Sequence, residues 1–135
     1  MYVVDTNIVV YLLLQGDRTV AARALFEQDA DWRTDSFLLV EFCNVLATMI
    51  RVRSLAPSRA RETLAQAEKL FGSRWYAAAH SDALTLAEQC RISVYDARFL
   101  VVAKMHGARL VTEDVKLRRA VPGLTQSLFE ALEKR

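Results

Sequence analysis

The stretch Met1-Tyr2-Val3-Val4-Asp5-Thr6-Asn7, at the start of the chain, decides the fold. Its three consecutive aromatic or β-branched residues are typical of a short strand buried on both faces, as in a parallel sheet. The strand ends at Asp5, and the apolar run over residues 8–14 then predicts a helix. Asp5 therefore lies where open α/β sheets place their ligands. The alternative interpretation is a simple helix cap, a position that Asp favours.

The composition is that of a soluble globular protein. The chain has 135 residues, of which 53% are hydrophobic and 25% charged, with a net charge of +2. This length suits a single domain over residues 1–135 with its own core. No apolar run approaches the ~20 residues that span a bilayer, and the first residues lack the basic segment of a signal peptide. We therefore predict a cytoplasmic protein without membrane association, in which Cys43 and Cys90 are small core residues.

Strand and helix patterns alternate along the rest of the chain. Further strands are predicted at residues 32–35, 74–76 and 108–112, with a last one near residues 124–125. Apolar periodicity predicts the helices between them, and the expected helix caps are Asp17 or Thr19, Ser36, and Ser81 or Asp82. The alternation indicates an α/β fold with a parallel sheet and right-handed crossovers.

Four acidic residues are distinguished by their positions: Asp5, Glu41, Asp96 and Asp114. Asp5 and Asp114 closely follow apolar strands, and Asp96 begins a helix. If the first and fourth strands are neighbours, a strand spacing of ~4.8 Å places these two strand-end carboxylates about 5 to 8 Å apart. Glu41 interrupts an apolar helix and shares a face with Asn44. For Glu41, a narrow polar stripe facing solvent is the alternative.

Carboxylates gathered in this way repel one another. Two unit charges 4 Å apart interact by about 4 kcal/mol at an effective dielectric constant of 20. No Lys or Arg lies within one residue of Asp5 or Glu41 to relieve this repulsion. A bound cation would relieve it, and oxygen ligands favour Mg²⁺ or Mn²⁺ over zinc. Such an ion can bind a phosphodiester and activate water, which is the chemistry of a metal-dependent nuclease.

These motifs together resemble a known family, the PIN-domain ribonucleases. The resemblance rests on Asp5-Thr6-Asn7, Glu41, Tyr95-Asp96-Ala97 and Leu110-Val111-Thr112-Glu113-Asp114, and it covers essentially the whole chain. Length and motif spacing are most similar to the VapC-type toxins of bacterial toxin–antitoxin pairs. The resemblance implies a three-layer α/β/α fold with a central parallel sheet of four or five strands, usually in the order 3-2-1-4-5. That order would make the strands that precede Asp5 and Asp114 neighbours.

The resemblance also implies an activity, the Mg²⁺- or Mn²⁺-dependent cleavage of single-stranded RNA by a metal-activated water. The implied catalytic residues and metal ligands, acting directly or through water, are Asp5, Glu41, Asp96 and Asp114. The residues implied to orient these carboxylates are Thr6, Asn7 and Thr112, a supporting role that such side chains often have.

The implied partners are an RNA substrate, a cognate antitoxin protein and a second copy of the chain in a homodimer. Lys116, Arg118 and Arg119 follow Asp114 on a short basic helix and are candidates for RNA phosphate contacts. The alternative is a solvated basic helix whose cations interact favourably with its own dipole.

Two other functions remain open. One is a non-catalytic PIN-fold interaction module, which would keep the fold without the chemistry. The other is a phosphoacceptor or phosphatase domain, since these also place acids at strand ends. Asp5-Thr6-Asn7 lacks the second Asp of an Asp-x-Asp phosphatase. His80 and His106 follow no ligand spacing, and His106 is predicted to interact with a helix C-terminus.

Overall fold

The sheet is parallel throughout, and its central strand comes from the first residues of the chain. The structure is a computed structural model in which residues 1–133 are described. The strands in this part of the chain are β1 (Tyr2–Val4), β2 (Trp32–Asp35), β3 (Trp75–Tyr76), β4 (Leu110–Val111) and β5 (Thr125–Gln126). Their spatial order is β3-β2-β1-β4-β5, which confirms the expected order 3-2-1-4-5.

Helices connect the strands and cover the sheet. They are α1 (Thr6–Leu13), α2 (Thr19–Gln28), α3 (Leu38–Arg51), α4 (Pro57–Phe71), α5 (His80–Cys90), α6 (Val94–Met105), α7 (Val115–Ala120) and α8 (Leu128–Glu133). Helix α6 packs on β1, β2 and β4, and α5 packs on α6, whereas α4 contacts β2 and packs with α1 and α3. The α/β/α fold predicted from the sequence is confirmed.

The register of β1 against β4 determines which residues meet at the carboxyl edge of the sheet. Val3 pairs with Leu110 and Val4 with Val111, and all four side chains are fully buried. This burial on both faces explains why the strands are continuous apolar runs without polar alternation. The chain leaves the two strands at neighbouring points, so Asp5 emerges beside residue 112.

The predicted caps of three helices are wrong. Helix α2 begins after Arg18 without a side-chain cap, and the Thr19 hydroxyl instead accepts from Gly16 N at 2.9 Å and donates to Leu14 O at 3.2 Å. Helix α5 follows Ala79 without a side-chain cap, because Ser81 and Asp82 already lie within its first turn.

The third wrong cap is at α3. This helix has Phe37 at its N-cap, and Phe37 N donates to Asp35 Oδ2 at 2.8 Å, so Ser36 does not cap it. Helix α6 also differs from the prediction, because it begins at Val94 rather than at Asp96. Ser93 is its N-cap and accepts a hydrogen bond from Asp96 N at 3.0 Å.

The cysteines do not behave as predicted. Cys43 is exposed and Cys90 is half-buried, so neither is a true core residue. His106 is the C-cap of α6, and its Nδ1 lies 2.8 Å from the carbonyl oxygen of Val102, as the helix-end interpretation predicts. Among residues 1–133, no helix combines the length and apolar character of a bilayer-spanning segment.

Candidate active site

Asp5 and Asp114 lie at the carboxyl edge of the sheet, each at the start of a helix. Asp5 is the N-cap of α1, and its Oδ1 accepts from Ile8 N at 3.4 Å. Asp114 is the N-cap of α7, and its Oδ1 accepts from Leu117 N at 3.0 Å. The capping interpretation of Asp5 is therefore correct, and it does not compete with a site at the sheet edge, because Oδ2 takes no part in either cap.

The predicted acids all line one cavity, which we call the acidic pocket. Its volume is about 450 Å³. The lining residues are Asp5, Thr6, Asn7, Phe37, Val40, Glu41, Asn44, Val45, Asp96, Phe99 and Asp114. The acids come from the ends of β1 and β4 and from the helices α3 and α6. Side chains far apart in the sequence are thus brought to one opening beside the sheet.

Thr112 connects two of these acids. Its side chain is fully buried, and its Oγ1 accepts a hydrogen bond from Asp114 N at 3.1 Å. The Thr112 side chain also lowers the pKa of the neighbouring Asp5 carboxyl through hydrogen bonding. Since its proton is not used in the bond from Asp114 N, the Thr112 hydroxyl is free to donate to the Asp5 carboxylate. Thr112 therefore fixes the two strand ends relative to each other.

Thr6 has a similar relation to Glu41. Thr6 Oγ1 donates to Glu41 Oε1 at 2.6 Å, and the Thr6 side chain is buried. This bond holds the half-buried Glu41 towards α1. Asn44 is exposed on the same helix face, as predicted, and this face lines the acidic pocket.

The electrostatics of the acidic pocket show the expected crowding. Burial raises the pKa of Asp5 to about 7, and the charges of Asp96 and Glu41 add to this effect, while hydrogen bonds from Thr112 and Ile8 oppose it. Burial, followed by the charge of Asp114, also raises the pKa of Asp96. Among the described residues that line the pocket, none is Lys or Arg. The carboxylates thus lack a cationic partner in the cavity wall.

The oxygen ligands of the acidic pocket are of the type that binds a hard divalent cation, but the carboxylates lie far apart from one another. Carboxylate and amide oxygens are ligands that suit Mg²⁺ and Mn²⁺. Within residues 1–133, however, no three acidic, histidine or cysteine side chains are close enough together to hold a metal ion between them. Mg²⁺ keeps several waters in proteins, so an ion here would reach some of these carboxylates through water.

The basic residues predicted to contact RNA lie outside the acidic pocket. Lys116 and Arg119 are exposed on α7, Arg118 is half-buried, and none of the three lines the acidic pocket. Asp114 is the N-cap of α7, and both arginines are in the last turn of this helix. Asn7 is exposed and does line the pocket, next to Asp5 in the sequence.

Asp35 is an important residue that the sequence analysis missed. It is fully buried, and it accepts hydrogen bonds from Phe37 N at 2.8 Å, Ala78 N at 2.9 Å and Arg98 Nε at 2.8 Å. Arg98 lies two residues after Asp96 on α6, and Phe37 precedes the helix that carries Glu41. Asp35 therefore sets the relative position of α3 and α6. An acid at the end of β2 was the available signal.

The stacked rings of two aromatic residues beside the acidic pocket were also not predicted. The rings of Phe37 and Tyr95 have centroids 5.2 Å apart and planes inclined by 14°. The spacing of the sequence gives no signal for this contact.

Arg18 is a charged residue close to Glu113, which directly precedes Asp114. Its Nε lies 3.0 Å from Glu113 Oε1, and its guanidinium lies over the Tyr11 ring at 5.4 Å from the centroid. The spacing of the sequence gives no signal for these contacts either.

Comparison with known proteins agrees with this architecture. A family model described as PIN domain matches residues 2–121. No curated protein matches the chain. Among solved structures, PAE2754 from Pyrobaculum aerophilum is similar with a TM-score of 0.76 and 20% identity, over 98% of this chain and 94% of that one.

Two further structures are similar over most of their length. A toxin-antitoxin complex from Klebsiella pneumoniae has a TM-score of 0.67 at 19% identity, covering 93% of this chain and 97% of the matched chain. FitAcB from Neisseria gonorrhoeae has a TM-score of 0.69 at 18% identity, covering 94% and 96%. At these identities the similarity establishes the shared fold.

Proposed function

The chain belongs to the PIN domain family, and we propose that it is a metal-dependent endoribonuclease that acts as the toxin of a toxin–antitoxin pair. One observation carries the proposal: Asp5, Glu41, Asp96 and Asp114 line a single pocket whose described wall has no Lys or Arg. Such a concentration of negative charge repels an RNA phosphate unless a cation is bound. A nuclease site that is completed by a metal ion accounts for this arrangement.

The four acids would hold Mg²⁺ or Mn²⁺, some of them through water. When bound, the ion neutralises the scissile phosphate, stabilises the leaving oxygen and makes a water molecule a better nucleophile. Asp114 uses Oδ1 as a helix cap, which leaves Oδ2 available for the ion. Thr6 and Thr112 fix the orientation of Glu41 and Asp5 before the ion arrives, and Asn7 is proposed to assist them.

The proposal extends to substrate and partners. The substrate is RNA, with Lys116, Arg118 and Arg119 contacting phosphates beyond the pocket. A cognate antitoxin would inhibit the enzyme, and support for this comes from the fold shared with the Klebsiella pneumoniae toxin-antitoxin complex. We also propose a homodimer and a cytoplasmic location.

The direct test is cleavage of RNA by the purified protein with Mg²⁺ or Mn²⁺. We expect cleavage that stops in excess chelator and that Asp114→Asn reduces by at least about 100-fold, because charge stabilisation at a reacting centre is worth several kcal/mol. Asn keeps the helix cap, so the variant should keep its fold, as circular dichroism would show. Cleavage that continued unchanged in chelator would exclude the metal mechanism.

A non-catalytic PIN-fold interaction module is the second candidate. The spacing of the acids favours it, since no three of the candidate ligands in the described chain are close enough to share an ion directly. Wild-type protein that cleaved neither transfer RNA, ribosomal RNA nor unstructured RNA with either metal would support this candidate over the nuclease.

A further inference from the structure

The stacked rings of Phe37 and Tyr95 form an exposed aromatic surface that adjoins the acidic pocket. Phe37 lines the pocket, and Tyr95 directly precedes Asp96. Tyr95 is 58% exposed although one face of its ring is stacked on Phe37, so its other face is open to solvent. Val40, which also lines the pocket, is 61% exposed. Apolar surface is therefore presented to solvent beside the carboxylates.

Hydrogen bonds to the buried Asp35 fix the position of the aromatic surface. Asp35 Oδ2 accepts hydrogen bonds from both Phe37 N and Arg98 Nε, each at 2.8 Å. The Arg98 guanidinium in turn lies over the Phe37 ring at 5.8 Å from its centroid. Because Asp35 is fully buried, the Phe37 ring is anchored to the interior of the fold. Tyr95 thus stacks on a fixed support.

Charge alone does not favour RNA at this pocket. The described lining contains four carboxylates without Lys or Arg, so a polyanion gains nothing there from the protein before a metal binds. Stacking of a base on an aromatic ring does not depend on a cation, and it is available to every base. Only an unpaired, unstacked base can present its face to such a ring.

We propose that Tyr95, supported by Phe37, is a stacking platform for one unpaired base of the RNA next to the scissile phosphate. This inference rests on the proposed nuclease function and deepens it by assigning a binding residue to the base beside the cleavage site. The substrate is a single-stranded segment or loop in which a base beside the cleavage site is unstacked. A continuous duplex would not fit the platform, because its bases are already stacked on their neighbours.

The first experiment measures cleavage of unstructured RNA oligonucleotides with Mn²⁺. Tyr95→Leu should raise KM by about 10-fold with little change in kcat, because base–aromatic stacking is lost. Tyr95→Phe keeps the ring and should behave like wild type. Phe129→Leu is the matched control, since Phe129 is 70% exposed on α8 and does not line the pocket. An abasic nucleotide at the stacking position should raise the KM of wild type, but it should not further raise the KM of Tyr95→Leu.

The second experiment measures binding without cleavage. RNA oligonucleotides carrying 2-aminopurine at successive positions are titrated with protein in Ca²⁺ in place of Mn²⁺, so that the carboxylate charge is offset, and the base fluorescence is recorded. One position should be quenched by wild type and Tyr95→Phe but not by Tyr95→Leu. If this quenching were observed but the protein cleaved no RNA, the stacking role of Tyr95 would be supported and the nuclease function would be excluded.

The opposite results would overturn the platform. A Tyr95→Leu variant that cleaved RNA with wild-type KM would exclude the platform and leave the nuclease function standing. The platform would also be excluded if Tyr95→Leu bound RNA normally but lost affinity for a protein inhibitor, because the aromatic surface would then serve a protein contact.

Discussion

Thr6 Oγ1 donates a hydrogen bond of 2.6 Å to Glu41 Oε1, which joins the first turn of α1 to the first turn of α3. Thr6→Val keeps the shape of the side chain and removes the donor. We expect a loss of about 1 kcal/mol in stability, a typical value for a single hydrogen bond, and a fall of roughly 10-fold in metal-dependent cleavage because Glu41 is no longer held. Thr6→Ser should retain most activity. Equal activity of the Ser and Val variants would contradict a role for the hydroxyl.

Asp5 gives the metal-free protein a pH-dependent stability. The pKa of Asp5 is raised from 3.8 to about 7 by burial, so between these values the folded state binds a proton that the unfolded state has lost. Stability from this group is therefore full below about pH 4 and is lost as the pH rises towards 7. Asn carries no charge, so the stability of Asp5→Asn relative to wild type should rise by roughly 2 to 4 kcal/mol between pH 4 and pH 8.

Urea unfolding in chelator at several pH values measures this difference. Asn is also a good helix cap, so the substitution leaves the start of α1 intact. A difference between Asp5→Asn and wild type that did not change with pH would contradict the burial of the Asp5 charge.

Asp96→Asn separates electrostatic crowding in the acidic pocket from the favourable interaction of an acid with the first turn of α6. In metal-free buffer the variant should melt at the same temperature as wild type or higher, because a repelled carboxylate is removed. Added Mn²⁺ should raise its melting temperature by less than it raises that of wild type. Asp82→Asn is the matched control, since Asp82 lies in the first turn of α5 as Asp96 lies in the first turn of α6. A lower melting temperature for Asp96→Asn without metal would favour a structural role.

The buried pair of Asp35 and Arg98 should be costly to break. Arg98→Met leaves the fully buried Asp35 carboxylate without its cation, and we expect a loss of about 3 kcal/mol in the free energy of unfolding. Combining it with Asp35→Asn should recover at least ~1 kcal/mol, since no unpaired charge remains. Urea unfolding of the two single variants and the double variant tests this. Simple addition of the two losses would show that the charges are not coupled.

The basic residues of α7 make a prediction for salt dependence. If Lys116 and Arg119 contact RNA phosphates, each Ala variant should weaken RNA binding and reduce the slope of log affinity against log salt by about 0.7 for a single strand. Anisotropy titrations in chelator at several salt concentrations provide the slope. An unchanged slope would support a solvated basic helix, the alternative that the sequence leaves open.

Much of the site could be predicted because it depends on strand ends. The apolar runs before Asp5 and before Thr112 identify strands, and the order implied by the family resemblance makes those strands neighbours. The register of Val4 with Val111 then brings Asp5 beside Thr112. The acid at the end of β2 was a signal for Asp35, but neither its bond to Arg98 nor the stacking of Phe37 on Tyr95 could be predicted. Both contacts join the start of α6 to residues at or before the start of α3, and no local pattern specifies contacts between residues so far apart in the chain.

The starts of several helices were also not predicted correctly from the sequence. Ser36, Ser81 and Asp82 are good cap residues in isolation, yet the helices begin where neighbouring backbone is fixed by other contacts. At α3 this contact is the bond from Phe37 N to Asp35 Oδ2. Tertiary structure thus moved the start of the helix away from the residue with the best intrinsic preference.

The place of β1 in the sheet has a consequence for synthesis on the ribosome. Strand β1 is translated before its partner β4 and before the acid that follows β4, although Val3 pairs with Leu110 in the sheet. A nascent chain that has not reached Asp114 lacks one wall of the acidic pocket. The ribosome making this protein is therefore kept from whatever chemistry the finished pocket performs until Asp114 has been synthesised.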